Sequence, residues 1–351
     1  MSVAFLLYGA TGFTGREIAR LAAADGLEPI LAGRNAVQLE ELGSELGAEH
    51  RAFDLNDPHR IEQGLKDVTV VLHCAGPFIH TYRPIVEACL QTGTHYLDLT
   101  GEIPVYEAIA ARDPEARASG VMLMPGAGFD VVPTDCLAVH LKRRLPSATH
   151  LRLAFRREGP AGLPPGSQRT AIELMPYGIR VRRNGRLQVP EGATKTRLID
   201  FGQGPVKAAL FLWGDVFTAY YSTGIPNIEN YYVLSEAERK LMVAVAYLRP
   251  LLKLAAVRGL FRRGVNRGPT ADLRARSRTH VWGEVEDDQG RKAVSRLHGP
   301  ELGVVWTSRA ALAIVQKVMN GDAPSGYQTP ALAYGADLVM ECEGVTREDL
   351  D

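Results

Sequence analysis

The stretch Gly9-Ala10-Thr11-Gly12-Phe13-Thr14-Gly15 carries the plainest chemistry in the chain. Glycines at these spacings let backbone N–H groups approach a pyrophosphate, and a helix starting here adds the positive end of its dipole. A tight turn also favours glycine for steric reasons alone, so other residues must decide. About 20 residues on, an NAD-selective unit places Asp or Glu against the ribose 2′-OH. Here the chain reads Ala32-Gly33-Arg34-Asn35, with no carboxylate. A guanidinium pairs bidentately with a 2′-phosphate. Lost carboxylate and gained cation agree, and the expected cofactor is NADP(H).

The expected cofactor-binding set is Gly9, Thr11, Gly12, Phe13, Thr14, Gly15, Arg34 and Asn35, with Asp54 at the adenine. Cys74, Ala75, Gly76, Pro77, Thr100 and Gly101 are expected under the nicotinamide half. A reduction also needs a proton donor and a hydrogen bond to developing negative charge. Tyr82, His95, Thr100, Glu102, Asp130 and Asp135 are available from the first half of the chain, Arg169 and Tyr221 from later segments. Asp130 and Tyr221 are the preferred catalytic candidates, as residues of a cleft between two domains. The plainer alternatives are a helix cap for Asp130 ahead of Thr134, a backbone or ribose bond for Glu102, and a satisfied core position for His95.

Positioning these residues calls for a parallel sheet. Val3–Tyr8 is apolar throughout, as a strand buried on both faces must be. A helical face of Ile18, Ala19, Leu21, Ala22 and Ala23 follows, then a strand at Pro29–Ala32 and a helix at Ala36–Leu46. Strands at Arg51–Leu55, Val68–Cys74, Thr94–Leu99 and Val121–Pro125 alternate with helices at Pro58–Leu65, Tyr82–Gln91 and Ile103–Ala118. This alternation predicts an α/β fold, a Rossmann-type doubly wound sheet whose ligand crosses the carboxyl ends of the strands.

With 351 residues, 46% of them hydrophobic and 23% charged, the chain has length for a second core and the composition of a soluble globular protein. Residues 1–150 hold 12 Lys/Arg against 19 Asp/Glu, whereas 151–310 hold 26 against 14. The expected division is a cofactor domain at 1–145, completed by 315–351 through a return at Gly326–Pro330, and a substrate or dimerisation domain at 146–314. Ile179–Val189 reads as a hairpin around Asn184-Gly185, and Thr279–Glu286 pairs with Lys292–Leu297 across a turn. The second domain is therefore expected to be α+β with a largely antiparallel sheet. Thr307 or Ser308 is expected to cap a final helix running to Met319.

A basic second domain suits an anionic substrate, an acidic carrier protein or a membrane surface. No reader motif or aromatic interleaving points to nucleic acid. Lys240–Leu260 is rich in Leu, Val and Ala, but Arg249, Pro250 and Lys253 keep it below the roughly 20 apolar residues of a spanning helix. The expectation is a packing helix, with shallow attachment to anionic lipid through 240–263 as the alternative. Cys74, Cys89, Cys136 and Cys342 show no zinc spacing, so no metal is expected and the thiols read as reduced and buried. The N-terminal apolar run is too short for a signal peptide, which makes the expected location cytoplasmic, with membrane association as the alternative.

Several segments together resemble the saccharopine dehydrogenase-like oxidoreductases: Gly9–Arg16, Ala32-Gly33-Arg34, Ala75–Phe78, Tyr96–Glu102 and Gly128–Asp135. Ala219–Ile228 and Gly326–Pro330 resemble most the trans-acting enoyl reductase branch of that family. The resemblance implies an NADP-dependent oxidoreductase reducing a C=C bond of a small-molecule or carrier-linked acyl substrate of lipid or polyketide type. Saccharopine-type oxidation at a C–N bond and a non-catalytic NADP(H) sensor remain alternatives, and a homodimer is a further expectation. Extended short-chain dehydrogenases share the glycine turn but require Tyr-x-x-x-Lys. None of the 12 tyrosines has lysine four places later, which excludes that machinery.

Overall fold

The structure is a computed structural model that describes residues 4–190 and 195–350. Strands β1 (Phe5–Tyr8), β2 (Pro29–Gly33), β3 (His50–Ala52), β4 (Val70–His73), β5 (His95–Asp98) and β6 (Met122–Met124) open the chain. Helices α1 (Phe13–Ala24), α2 (Ala36–Leu46), α3 (Pro58–Gly64), α4 (Tyr82–Thr92), α5 (Ile103–Ala110) and α6 (Asp113–Ala118) alternate with them. The single helix expected at 103–118 is in fact two. Pro114 has no N–H to continue the ladder and instead occupies the first turn of α6.

The strands lie in the order β3-β2-β1-β4-β5-β6, all parallel, and the chain reverses direction across the sheet between β1 and β4. Phe5 and Leu7 pack on one face, Leu6 and Tyr8 on the other. Burial on both faces explains the unbroken apolar run. The crevice for a ligand opens at the carboxyl ends of β1 and β4, where the two halves of the sheet diverge.

α7 (Val132–Arg144) leads into β7 (His150–Glu158), and α8 (Pro165–Leu174) follows. Next come β8 (Val181–Arg183), β9 (Arg186–Gln188), β10 (Thr196–Asp200) and β11 (Pro205–Leu210). α9 (Asp215–Thr223), β12 (Asn227–Tyr232), α10 (Glu236–Leu252), α11 (Ala255–Arg262) and α12 (Ala271–Ala275) precede β13 (Arg278–Glu286) and β14 (Lys292–Gly299). The chain closes with α13 (Thr307–Met319), β15 (Gly326–Tyr327), α14 (Pro330–Tyr334) and β16 (Thr346–Leu350).

The second sheet runs β10-β11-β12-β7-β13-β14-β16, with β8 on β12 and β9 on β8. Every pairing is antiparallel except β12 with β7. Asn184 and Gly185 take φ of 48° and 76° in the β8–β9 turn, the left-handed geometry that two-residue hairpins select. α7 lies against β13, where a Cβ at Gly283 would stand 2.5 Å from Leu141 Cδ1. That close approach joins the two sheets.

The last segment divides between them. α13 packs on α1 and β4, and β15 pairs in parallel with β6 as a seventh strand of the first sheet. β16 instead pairs antiparallel with β14. Of residues 315–351, then, Thr346–Leu350 belongs to the second sheet, where its pattern has no apolar face to mark it. Thr307 is not a cap: a π-helical turn at Leu302–Trp306 runs into α13, and Glu301 caps that turn.

Candidate functional site

The glycine turn sits at the carboxyl end of β1, held by Gly9 and Ala10 N–H groups that donate to Ala32 O at 2.8 and 3.1 Å. Gly9 has φ +85°, and a Cβ there would lie 2.9 Å from Ala75 N. A Cβ at Gly15 would come within 2.2 Å of Gly9 O, so α1 packs on β1 at a distance only glycine permits. The first helical bond, Arg16 N–H to Gly12 O, is 2.9 Å. The N–H groups ahead of it in the first turn are left for a ligand. These features fit a dinucleotide pyrophosphate.

Arg34 is exposed and has no hydrogen-bond or ion-pair partner among the described residues. It and Asp54 both act on the Tyr8 phenol, whose pKa is raised by burial and by Asp54 and lowered by Arg34. The two charged groups therefore share one rim of the crevice. Asn35 caps α2, its Oδ1 accepting from Gln38 N at 3.2 Å, and Asp54 Oδ1 accepts from Asn56 N at 2.8 Å.

Cys74-Ala75-Gly76-Pro77 leaves β4 and turns into Phe78. Glu102 fixes that turn, accepting from Phe78 N and Ile79 N at 2.8 Å each and from Thr170 Oγ1 at 3.3 Å. Glu102 is thus the backbone anchor that the plainer reading allowed. Asp98, at the end of β5, accepts from Thr100 N and Gly126 N at 2.9 Å each and from Tyr96 Oη at 2.7 Å. Burial pushes its pKa up to about 7. Thr100 is fully buried, with Oγ1 accepting from Glu102 N at 3.1 Å, so its side chain braces the loop while Leu99 and Gly101 face outward.

Outward from these strand ends lies a cavity of about 460 Å³. Its inner wall holds Thr14, Cys74, Gly76, Leu99, Gly101 and Asp130. Its outer walls come from later in the chain: Ala171 and Leu174 on α8 with Met175 just after it, Trp213 after β11, and Met242 and Val245 on α10. Asp130 marks the junction. Burial, with a contribution from Glu102, pushes its pKa up to about 7. Its carboxylate makes no hydrogen bond among the described residues, and it does not cap α7, whose preceding residue is Val131. A Cβ at Gly101 would be 2.7 Å from Asp130 Oδ2. Glycine at 101 makes room for the acid.

The other candidates fall elsewhere. Tyr221 is corrected: it is 45% exposed, packs at 5.0 Å centroid distance on both Phe217 and Tyr327, and does not line the cavity. Its helix turns Val216 and Ala219 into the core, which rotates Tyr221 outward. His95 stands at the amino end of β5, away from the crevice, with Nδ1 accepting from Met122 N at 3.0 Å. Asp135 is buried and accepts from Ser222 Oγ and from Ala331 N, tying α7 to α9 and α14. Arg169 and Tyr82 do not line the cavity. Glu301 went unnoticed in the sequence. Its carboxylate accepts from the N–H groups of Gly303, Val304 and Val305 at 2.7, 2.9 and 3.2 Å, presenting Leu302, Gly303 and Thr307 to the cavity. An acid ahead of an apolar run was the available signal.

Residues 5–124 match the family described as the saccharopine dehydrogenase NADP-binding domain. Over those residues the chain is similar to that NADP-binding domain. The trans-acting enoyl reductase of Mycobacterium leprae is 36% identical over 148 residues, covering 40% of this chain and 35% of that protein. The saccharopine dehydrogenase-like oxidoreductase of Homo sapiens is 27% identical over 207 residues, covering 52% of this chain and 47% of that protein. The match thus spans less than half the length of either relative. Apo saccharopine dehydrogenase (L-Glu forming) from Saccharomyces cerevisiae has the same fold over 99% of this chain and 100% of that one, with TM-score 0.66 and 13% identity. Within residues 5–124, the glycine turn and Arg34 are the residues whose geometry suits the cofactor. Among the described residues, no group of three or more His, Cys, Asp or Glu side chains could hold a metal ion.

Proposed function

We propose that the chain is an NADPH-dependent reductase of a C=C bond conjugated to an acyl carbonyl, with Asp130 as proton donor. The observation that carries this reading is the position of Asp130, a hydrogen-bond-free acid of pKa about 7 between the dinucleotide crevice and a cavity of about 460 Å³. Bound NADPH supplies the hydride. The protein must then orient the acyl chain, exclude water and return a proton to the α-carbon. The leucine- and methionine-rich walls serve the first two tasks. Their low polarity also keeps Asp130 protonated near neutral pH, ready to donate. In this reading Arg34 receives the 2′-phosphate and the α1 end receives the pyrophosphate.

Saccharopine-type chemistry would need several cations to hold an amino acid's carboxylates. Among the described lining residues Arg249 is the one cation, and its Nε and Nη2 already donate to Pro176 O and Tyr177 O at 2.6 Å each. A cavity of this size meeting the cofactor crevice likewise favours an enzyme over a sensor.

The test is NADPH oxidation with enoyl thioesters of increasing chain length, run beside keto acids with amines. Turnover that rises with acyl length is expected. Turnover only with keto acid and amine, or none despite NADPH binding, would overturn the proposal.

A further inference from the structure

α11 leaves apolar surface in water that a helix on a water-surrounded core would face inward. Its arginines reach back to the protein: Arg258 and the half-exposed Arg262 both pair with the buried carboxylate of Glu173 on α8, Arg258 Nε at 3.3 Å. Of its larger apolar residues, Val257 and Phe261 are half-buried, but Leu260 points out. Leu260 is 62% exposed, and Leu254 and Leu251 just before the helix are 57% and 52% exposed. No residue of α11 is buried. Charge surrounds these leucines, since residues 239–271 contain eight Lys/Arg and no Asp or Glu. Lys253 and Arg263 are exposed and form no ion pair among the described residues.

Exposed leucines bordered by unpaired cations match the chemistry of an anionic lipid surface, which takes apolar side chains into its interfacial layer and cations at its phosphates. We propose that the α10–α11 turn docks on an anionic membrane surface, with Leu251, Leu254 and Leu260 inserted and Lys253 and Arg263 at the headgroups. No helix among the described residues is long and apolar enough to cross a membrane, so the contact is peripheral. α10 links it to the cavity: Met242, Val245 and Arg249 line the wall, and Leu251 follows Arg249 by two residues. Docking therefore sets one cavity wall against the lipid and gives an acyl substrate a source. Only that last step rests on the proposed reductase activity.

The experiment uses the full chain and reads binding without turnover. It measures co-sedimentation with phosphatidylcholine vesicles and with vesicles containing phosphatidylglycerol, at low and high salt. Pelleting is expected only with phosphatidylglycerol and is weakened by salt. Leu254→Glu with Leu260→Glu, and separately Lys253→Glu with Arg263→Glu, should each weaken it about tenfold or more. NADPH affinity should stay unchanged in both, as the control for folding. A third variant, Leu260→Trp, should blue-shift its fluorescence on the anionic vesicles. No phosphatidylglycerol-dependent pelleting by the unaltered chain would overturn the proposal. So would pelleting that neither double variant changes, or self-association abolished by the leucine variant in place of vesicle binding. Vesicle binding by a chain that reduces no enoyl thioester would leave docking standing and remove the reductase reading alone.

Discussion

In the proposed reductase, Arg34 and Asp130 divide the work at the residue scale, one selecting the cofactor and one completing the reaction. A charge-assisted bond to a 2′-phosphate contributes about 1.5–3 kcal/mol, roughly 10- to 100-fold in affinity. Arg34→Ala should therefore weaken NADPH binding by that factor and leave NADH binding nearly unchanged, as a fluorescence titration would read. Equal loss for both cofactors would place the 2′-phosphate elsewhere. Asp130 must be protonated to donate, so activity should fall as pH rises through about 7. Asp130→Asn should lower kcat by about 10²- to 10⁴-fold and remove that alkaline limb from the pH profile, measured under saturating NADPH. Both positions stand out in the sequence, Arg34 where an NAD-selective strand would end in a carboxylate and Asp130 in the segment that follows the sixth strand. Tyr221 does not, because its role depends on how α9 is rotated, and nothing in Tyr220-Tyr221-Ser222 fixes the rotation.

Elements differ in how openly their sequences declare them. β1, β2 and β4 are buried on both faces and read as apolar runs, and the glycines between β1 and α1 follow from the 2.2 Å approach that a Cβ at Gly15 would make. Gly15→Ala should cost about 1–3 kcal/mol by overpacking and weaken NADPH binding as well. Denaturant unfolding and cofactor titration of one variant check both effects. β15 and β16 are harder to see. β15 is two residues long, and its place is set by Gly326 at φ +96° and by Asp113 Oδ1 accepting from Tyr327 N at 2.8 Å. Such a contact spans 214 residues and leaves no periodicity. The cavity walls escaped for a similar reason: α8, α10 and the π-helical turn each contribute a few side chains from distant segments. α11 is held chiefly through Glu173, which also lies 3.5 Å from His80 Nε2 in the loop beyond Pro77. Replacing Glu173 by Ala should release α11 and raise its cleavage rate in limited proteolysis.

In the whole molecule, two sheets share α7, and the acid–base balance of the second is readable in its stability. Burial opposes ionisation of Glu229, but Lys195, Tyr231 and Arg183 more than offset it and bring its pKa down to about 2. A depressed carboxylate adds stability above its unfolded pKa, here near 4.5, and loses it as pH falls towards about 2. Glu229→Gln should flatten the decline in Tm over that window. β16, joined to β14 through residues 346–350, has a consequence of another kind. A strand laid along the rim of a sheet hides a row of backbone donors and acceptors that would otherwise recruit a strand from a neighbouring molecule. Its own charged residues, Arg347, Glu348 and Asp349, make it a poor template in turn. Deleting those five residues would bare β14, whose Ala293, Val294 and Leu297 are more apolar, and open it to strand addition from neighbouring molecules, read as growth in light scattering.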